Sequence, residues 1–257
     1  MTANIDFSII ICSHQPPRAA MALAHFEKLF AGRAAEIIMI TDAKSLCEGY
    51  QRGFQQSSGA LIVLSHDDIE FVDTELPSRL QLHLNNFDVI GVAGTTLLTN
   101  GAWVSAGDPH AFALFAYPDA QEGRVLVKAC GRGGAAIGNI QAIDGCFMAA
   151  TREAVEAIGF DAETFDGFHL YDLDFSFRAY LQGLKVAVCR DLLPIHASTG
   201  KPDEHWARYR LRFEKKFATN LAPLQNKPAR VVQVRLQKSA LAEFIADGGP
   251  ARLLAAL

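Results

Sequence analysis

The first third of the chain alternates short apolar runs with amphipathic ones. Phe7 to Cys12 is a mostly apolar stretch of strand length, and Ser13-His14-Gln15-Pro16-Pro17 breaks it ahead of a helical pattern from about Arg18 to Phe30. A second apolar run, Ala35 to Ile40, closes at Thr41-Asp42, and Ser45 stands where an N-cap is needed for a helix reaching about Gln56. Leu61 to Leu64 supplies a third strand. Strand, helix, strand, helix, strand at these spacings predicts right-handed crossovers and parallel pairing, with helices on the sheet faces. Ligands of such sheets gather beyond the carboxyl ends of the strands, which here are Ser13-His14, Thr41-Asp42 and Ser65-His66-Asp67-Asp68.

Further along, the pattern predicts a helix over Glu75 to Phe87 and a strand over Asp88 to Ala93, followed by a glycine- and aromatic-rich region with strands near Phe112 to Tyr117 and Arg124 to Cys130. Gln141 to Ala149 reads as one more strand. Thr151 caps a helix to Ile158, Leu170 to Leu181 is a longer helix ended by Gly183, and Lys185 to Cys189 returns to the sheet. Pro202 opens a mixed aromatic and charged helix to about Phe217. A linker near Pro223 to Pro228 then leads into a helical tail, in which Leu236, Leu241, Phe244 and Ile245 share a face for packing on the domain or on another subunit.

Composition narrows the class. The 257 residues are half apolar and a fifth charged, which suits one ordinary domain or at most two small ones. Interspersed basic and acidic residues, 24 against 28, leave no positive block to neutralise a run of phosphates, so nucleic acid is not an expected partner. Five widely spaced cysteines, an odd number without a CxxC pair, argue against a disulfide framework or zinc knuckle and for a reducing cytoplasm. No basic stretch precedes the first apolar run and no apolar segment approaches about 18 residues, so neither secretion nor membrane spanning is expected. Peripheral placement at the inner membrane face stays open through the tail.

Three clusters carry candidate chemistry. Asp67-Asp68 directly follows the third strand, where carboxylates can meet a divalent cation and a nucleotide diphosphate; a turn or helix cap is the plainer reading. In Phe168 to Arg178 a loop turns into a helix. Asp174 and Arg178, four apart, can pair along that helix, whereas Asp172 points elsewhere and is free to face a cleft as a proton acceptor, or simply to favour the helix start. His196, after a strand, is either a packed or surface histidine or a late-arriving ligand for Mn²⁺, with Ser198 and Gly200 as candidates for shaping a phosphate-contacting loop.

These pieces, in order, resemble the GT-A glycosyltransferases, particularly the family-2-like group that includes the StrF-type glycosyltransferase domain. The resemblance spans about residues 5 to 200. It is carried by Ser8 to His14, Glu36 to Ile40, Ser65-His66-Asp67-Asp68, Ile143-Asp144-Gly145-Cys146-Phe147-Met148, Gly167 to Arg178 and His196-Ala197-Ser198-Thr199-Gly200. It implies an α/β fold of the nucleotide-diphospho-sugar transferase kind: a Rossmann-like mixed sheet flanked by helices forms a catalytic domain over residues 1–200, and a C-terminal helical extension covers 201–257. By the same resemblance Ser13, His14 and Asp42 hold the base and ribose, with an ordinary strand-ending cap as the other reading of Asp42. The family's DxD motif falls on His66-Asp67-Asp68, with Asp68 as the metal-contacting position and His66 in place of the usual first acid, where it meets ribose or a metal-bound water. Asp67 joins that donor-binding set and His196 the metal. The Glu-Asp catalytic motif falls on Tyr171-Asp172, making Asp172 the base of an inverting transfer with Tyr171 replacing the first carboxylate. Asp144-Gly145 comes to lie near the donor sugar and acceptor, unless it is an ordinary β-turn.

The implied cofactor is Mn²⁺ or Mg²⁺ and the implied donor a nucleoside-diphosphate sugar, with UDP-hexose the first guess. The acceptor is a glycan, a lipid-linked glycan or a protein, and the C-terminal helices offer a surface for self-association. Trp103, His110 and Phe147 are candidates for stacking on an acceptor sugar, with core packing as their plainer reading. Arg132, within Gly131-Arg132-Gly133-Gly134, is a candidate for reaching a phosphate or acidic acceptor from a mobile loop. Closely spaced glycines after the first strand and a GxSxG motif are both lacking, which disfavours nicotinamide enzymes and lipase-like hydrolases. A nucleotidyltransferase and an inactive sugar-binding relative remain as alternatives.

Overall fold

A computed structural model of the chain describes residues 5–198, 200, 203–224 and 227–257. Thr199, Pro202 and the middle of the linker expected from Pro223 to Pro228 lie outside the described residues. The chain begins β1 (Phe7–Cys12), α1 (Pro16–Leu29), β2 (Ala35–Ile40), α2 (Leu46–Gln56) and β3 (Leu61–Ser65). β1 pairs in parallel with both β2 and β3, Ile9 standing opposite Ile37 and Val63. α1 starts earlier than its apolar pattern, because proline is tolerated in a first helical turn whose amides have no partner inside the helix. Ser45 Oγ accepts the Glu48 amide at 3.0 Å and so caps α2.

Next come β4 (Ile69–Glu70), α3 (Leu76–Leu84), β5 (Val89–Gly91), β6 (Ala93–Thr95), a 3₁₀ turn over Trp103–Ala106, β7 (Ala111–Pro118), β8 (Arg124–Cys130), β9 (Ala136–Ile137) and β10 (Ala142–Ile143). The remainder is β11 (Phe147–Thr151), α4 (Arg152–Ile158), α5 (Tyr171–Leu181), β12 (Val186–Cys189), β13 (Ile195–His196), α6 (Glu204–Lys216), β14 (Val231–Gln237), α7 (Leu241–Ala246) and α8 (Gly249–Ala255). One mixed sheet has the order β2-β1-β3-β11-β5-β12-β9; a second runs β10-β6-β7-β13-β4, with β8 and then β14 added outside β7.

Two expected strands are each divided between the sheets. Asp88 to Ala93 becomes β5 in the first sheet and β6 in the second, and Gln141 to Ala149 becomes β10 and β11 on either side of Asp144-Gly145. The crossing is possible because Gly91 and Gly94 carry no side chain: a Cβ on Gly91 would lie 2.9 Å from the Ile143 side chain, and one on Gly94 would strike the Ala142 carbonyl. The tail also departs from expectation, since Val231–Gln237 is not helical but a strand antiparallel to β8, with Val234 opposite Val127. Its alternating burial follows the period-two spacing of Val232, Val234 and Leu236, which a helical grouping of Leu236 with Leu241 overlooks. Leu241, Leu254 and Leu257 then pack on Leu114, Val127 and Ile195 of the same chain.

β1 is buried on both faces. Ile10 packs with Tyr50, Val155, Phe175 and Phe213 in one core, whereas Ile9 and Ile11 pack with Phe26, Leu76 and Leu80 in another. Helices therefore cover both sides of the first sheet, the layering that parallel strands require. α5 is held rigidly: the fully buried Asp174 carboxylate takes Arg178 Nε at 2.8 Å and Lys216 Nζ at 2.5 Å, and Arg178 also reaches the carbonyls of Ile158 and Gly159. All five cysteines are free, and no helix among the described residues is long and apolar enough to cross a membrane.

Candidate functional site

β3 ends at Ser65 and delivers His66, Asp67 and Asp68 to the edge where the two sheets meet, while β13 pairs antiparallel with β4 and sets His196 opposite Ile69. His66, Asp68 and His196 each offer one ligand atom, all within 4.8 Å of one another. Asp68 Oδ1 lies 3.4 Å from His196 Nε2 and 4.0 Å from His66 Nδ1, and it is buried without a hydrogen-bond partner. Burial alone would raise the Asp68 carboxyl, but the polar contact and charge of His196, followed by His66 and the Ser198 hydroxyl, outweigh it and hold it down at about 2. Burial, followed by the neighbouring His196, lowers the His66 imidazolium and favours the neutral ring. An ionised carboxylate oxygen lacking a partner beside two imidazoles fits a divalent cation. Asp67 turns the other way, accepting Ser13 Oγ at 2.5 Å and facing Arg18 at 3.9 Å.

The second half of the site comes from α5 and the turn between β10 and β11. Leu170 adopts a left-handed φ of 63° immediately before the helix, so that the chain turns sharply and Tyr171 and Asp172 occupy the first helical turn. Asp172 Oδ2 accepts the Gly145 amide at 2.7 Å, and the Tyr171 hydroxyl donates to the Gly145 carbonyl at 2.8 Å. Asp144 accepts Trp103 Nε1 at 2.9 Å and the Cys146 amide at 3.0 Å. Burial, reinforced by the Asp144 charge, pushes the Asp172 carboxyl up to about 7.

His66, His196, Asp144 and Asp172 open into one cavity of about 620 Å³. Trp103, Phe115, Tyr117, Phe168 and Trp206 supply its aromatic lining, and Lys128 adds a cation 5.7 Å from the Tyr117 ring centre. Sequence reading missed Phe115, Tyr117, Lys128 and Trp206. The signal was the period of two: Ala113, Phe115 and Tyr117 face the cavity from β7 while Leu114 and Ala116 face the other core.

Other expected site residues stand apart. His14 is exposed and meets Phe168, which lines the cavity, edge-on at 5.2 Å between ring centres. Asp42 is exposed at the end of β2 and pairs with Arg52 at 2.7 Å. His110 Nδ1 meets Thr96 Oγ1 at 3.0 Å. Phe147 is no acceptor contact: as the first residue of β11 it points into the core, fully buried, with its ring 4.7 Å from that of Phe71. Arg132 does not reach toward the cavity, since its Nε donates to the Leu257 carbonyl at 2.9 Å and ties the glycine loop to the chain's last residue.

Gly145 has no room for a side chain, because a Cβ there would collide with the Tyr171 hydroxyl and sit 2.5 Å from Asp172 Cβ. Gly145→Ala is therefore expected to displace both residues and cost about 1–3 kcal/mol through overpacking. Thermal denaturation against the parent chain checks it; an unchanged melting temperature would show that the turn and α5 separate easily.

A profile described as a glycosyltransferase-like family matches residues 8–222. No curated protein matches the chain. Among solved structures, the fold is similar to that of the mannosyltransferase PcManGT from Pyrobaculum calidifontis, in complex with GDP-Man and Mn²⁺, with a TM-score of 0.50 and 10% identity over 99% of this chain and 74% of that one. A Drosophila beta-1,4-galactosyltransferase 7 mutant in complex with manganese, UDP-Gal and xylobiose gives a TM-score of 0.48 at 13% identity over 80% of each chain. A197 from STIV gives 0.41 at 11% identity, over 78% of this chain and all of that one. The profile match takes in both sheets apart from β14, and every residue named in the cluster and on α5, and the chain belongs to the glycosyltransferase-like family, with a GT-A-type fold.

Proposed function

We propose that the chain is an inverting glycosyltransferase, close to the StrF-type group, that moves a sugar from a nucleoside-diphosphate sugar to an acceptor hydroxyl. The observation that carries this reading is the opening of His66, His196 and Asp172 into a single cavity, so that a diphosphate at the histidines and a hydroxyl at the carboxylate would share one space. His66, Asp68 and His196 would hold the divalent cation, which when bound stabilises negative charge on the departing diphosphate. Asp172, anchored through Gly145, takes the proton of the acceptor hydroxyl as that oxygen attacks the anomeric carbon. Asp144 holds the Trp103 indole against the cavity, and this ring with Trp206 and Tyr117 offers flat apolar faces for an acceptor sugar. Ser13 acts by orienting Asp67 at the donor side.

The first experiment is a ligand-detected NMR screen of UDP- and GDP-sugars with added Mn²⁺, followed by transfer assays on the donors that bind. Selective binding and transfer support the reading, whereas binding of none of them argues against it. The pH dependence is a further expectation. Because only the ionised Asp172 accepts a proton, and because burial and Asp144 raise its carboxyl to about 7, kcat/KM should climb with pH through about 7 and level above it. Asp144→Asn removes the neighbouring negative charge and should move that limb to lower pH. A flat profile between pH 5 and 9 would assign the proton transfer to another group.

A further inference from the structure

The Tyr171 hydroxyl is 2.8 Å from His66 Nε2 and 2.8 Å from the Gly145 carbonyl oxygen. It has one hydrogen to give, and the carbonyl can only accept, so that hydrogen goes to Gly145 and the phenol oxygen must accept from His66. Nε2 of His66 therefore carries the proton. A neutral imidazole has a single N–H, which leaves the lone pair on Nδ1, the atom that faces Asp68 Oδ1.

We propose that Tyr171 is a positioning residue that locks His66 in the Nε2–H tautomer, presenting Nδ1 as a nitrogen ligand in a two-imidazole, one-carboxylate site selective for Mn²⁺ or Co²⁺ over Mg²⁺. This rests on the metal-site reading given above. Imidazole nitrogen suits the first-row transition ions, whereas Mg²⁺ wants an all-oxygen shell. A histidine whose second nitrogen is fixed by a hydrogen bond is a better oriented and more basic ligand, and loss of such an outer partner costs about 10–100-fold in metal affinity. The arrangement also joins the two halves of the site through one glycine: Gly145 accepts from Tyr171 at its carbonyl and donates to Asp172 at its amide. Tyr171, buried against Tyr50 with ring centres 5.6 Å apart, has no freedom to turn away.

The test uses the full chain, ¹⁵N-labelled at histidine and free of metal. Long-range ¹H–¹⁵N correlation spectra are expected to show His66 as a single Nε2–H tautomer, and Tyr171→Phe to admit the Nδ1–H form. Mn²⁺ titration followed by electron paramagnetic resonance should give an affinity about 10–100-fold weaker in Tyr171→Phe. In competition, Mg²⁺ should bind the parent chain at least about tenfold more weakly than Mn²⁺. His66→Asn, which keeps the tyrosine, should lose both Mn²⁺ affinity and the preference over Mg²⁺. An Nδ1–H tautomer in the parent chain, or parental Mn²⁺ affinity in either variant, overturns the proposal even if sugar transfer is confirmed. Conversely, the expected tautomer and metal losses in a chain that transfers no sugar would uphold the proposal and overturn the glycosyltransferase reading.

Discussion

Asp172→Asn is expected to lower the rate of sugar transfer by about 10²–10⁴-fold, the range that a positioned general base contributes, with donor and Mn²⁺ binding close to parental. The substitution keeps size and shape, and the asparagine carbonyl can still accept the Gly145 amide that now lies 2.7 Å from Oδ2. What disappears is the proton acceptor. The competing role for this carboxylate is electrostatic support of the α5 N-terminus, worth about 0.3–1 kcal/mol in stability and nothing in transfer. Burial weakens even that role, since the carboxyl is raised to about 7 and is half protonated near neutrality. Single-turnover transfer measured beside a melting curve separates the two roles. Transfer at the parental rate with a lowered melting temperature would reduce Asp172 to a helix-start residue.

The contrast between Asp172 and Asp174 shows how far one-dimensional spacing reaches. Both lie in the first turn of α5, yet Asp174 is fully buried between Arg178 and Lys216 while Asp172 lines the cavity. The i,i+4 relation of Asp174 to Arg178 was legible in the sequence and leaves Asp172 to face elsewhere. β1, β2 and the caps Ser45 and Thr151 were legible for the same reason, each being set by neighbours a few residues apart. Lys216, by contrast, arrives from 42 residues away, and no local pattern announces it.

The same limit explains the errors. Phe147 follows the Asp144-Gly145 turn, and sequence order alone groups it with that turn, but a strand alternates its sides, and Phe147 falls on the side that meets Phe71. Val231–Gln237 has a clear period of two but mostly half-buried and exposed positions, so its identity as a strand depends on the free edge of β8. Tyr171 is a departure from the family motif when read along the chain. Its meaning emerges only with His66, 105 residues earlier, whose ring it holds. Histidine and tyrosine together make a hydrogen bond that neither makes alone.

Asp68→Ala is expected to abolish the gain in thermal stability that Mn²⁺ confers on the parent chain, while leaving the metal-free protein about as stable as before. In the metal-free state Asp68 Oδ1 is buried without a hydrogen-bond partner, which is itself a cost of about 1–3 kcal/mol that removal of the side chain relieves. That relief opposes the loss of the carboxylate's attraction to His196 at 3.4 Å, and the two effects largely offset. With metal present the balance differs. A cation at 100 times its dissociation constant stabilises the folded chain by about 2.7 kcal/mol, and the variant keeps only the two imidazoles with which to hold it. Affinity should fall by more than the ~10–100-fold typical of losing an outer partner, because Asp68 supplies the only negative charge in the cluster. Melting curves of both chains with Mn²⁺ and with excess chelator measure the difference directly. Parental Mn²⁺ stabilisation in Asp68→Ala would place the ion elsewhere, whereas a loss confined to the metal-bound state is the signature of a ligand and not of a packed carboxylate.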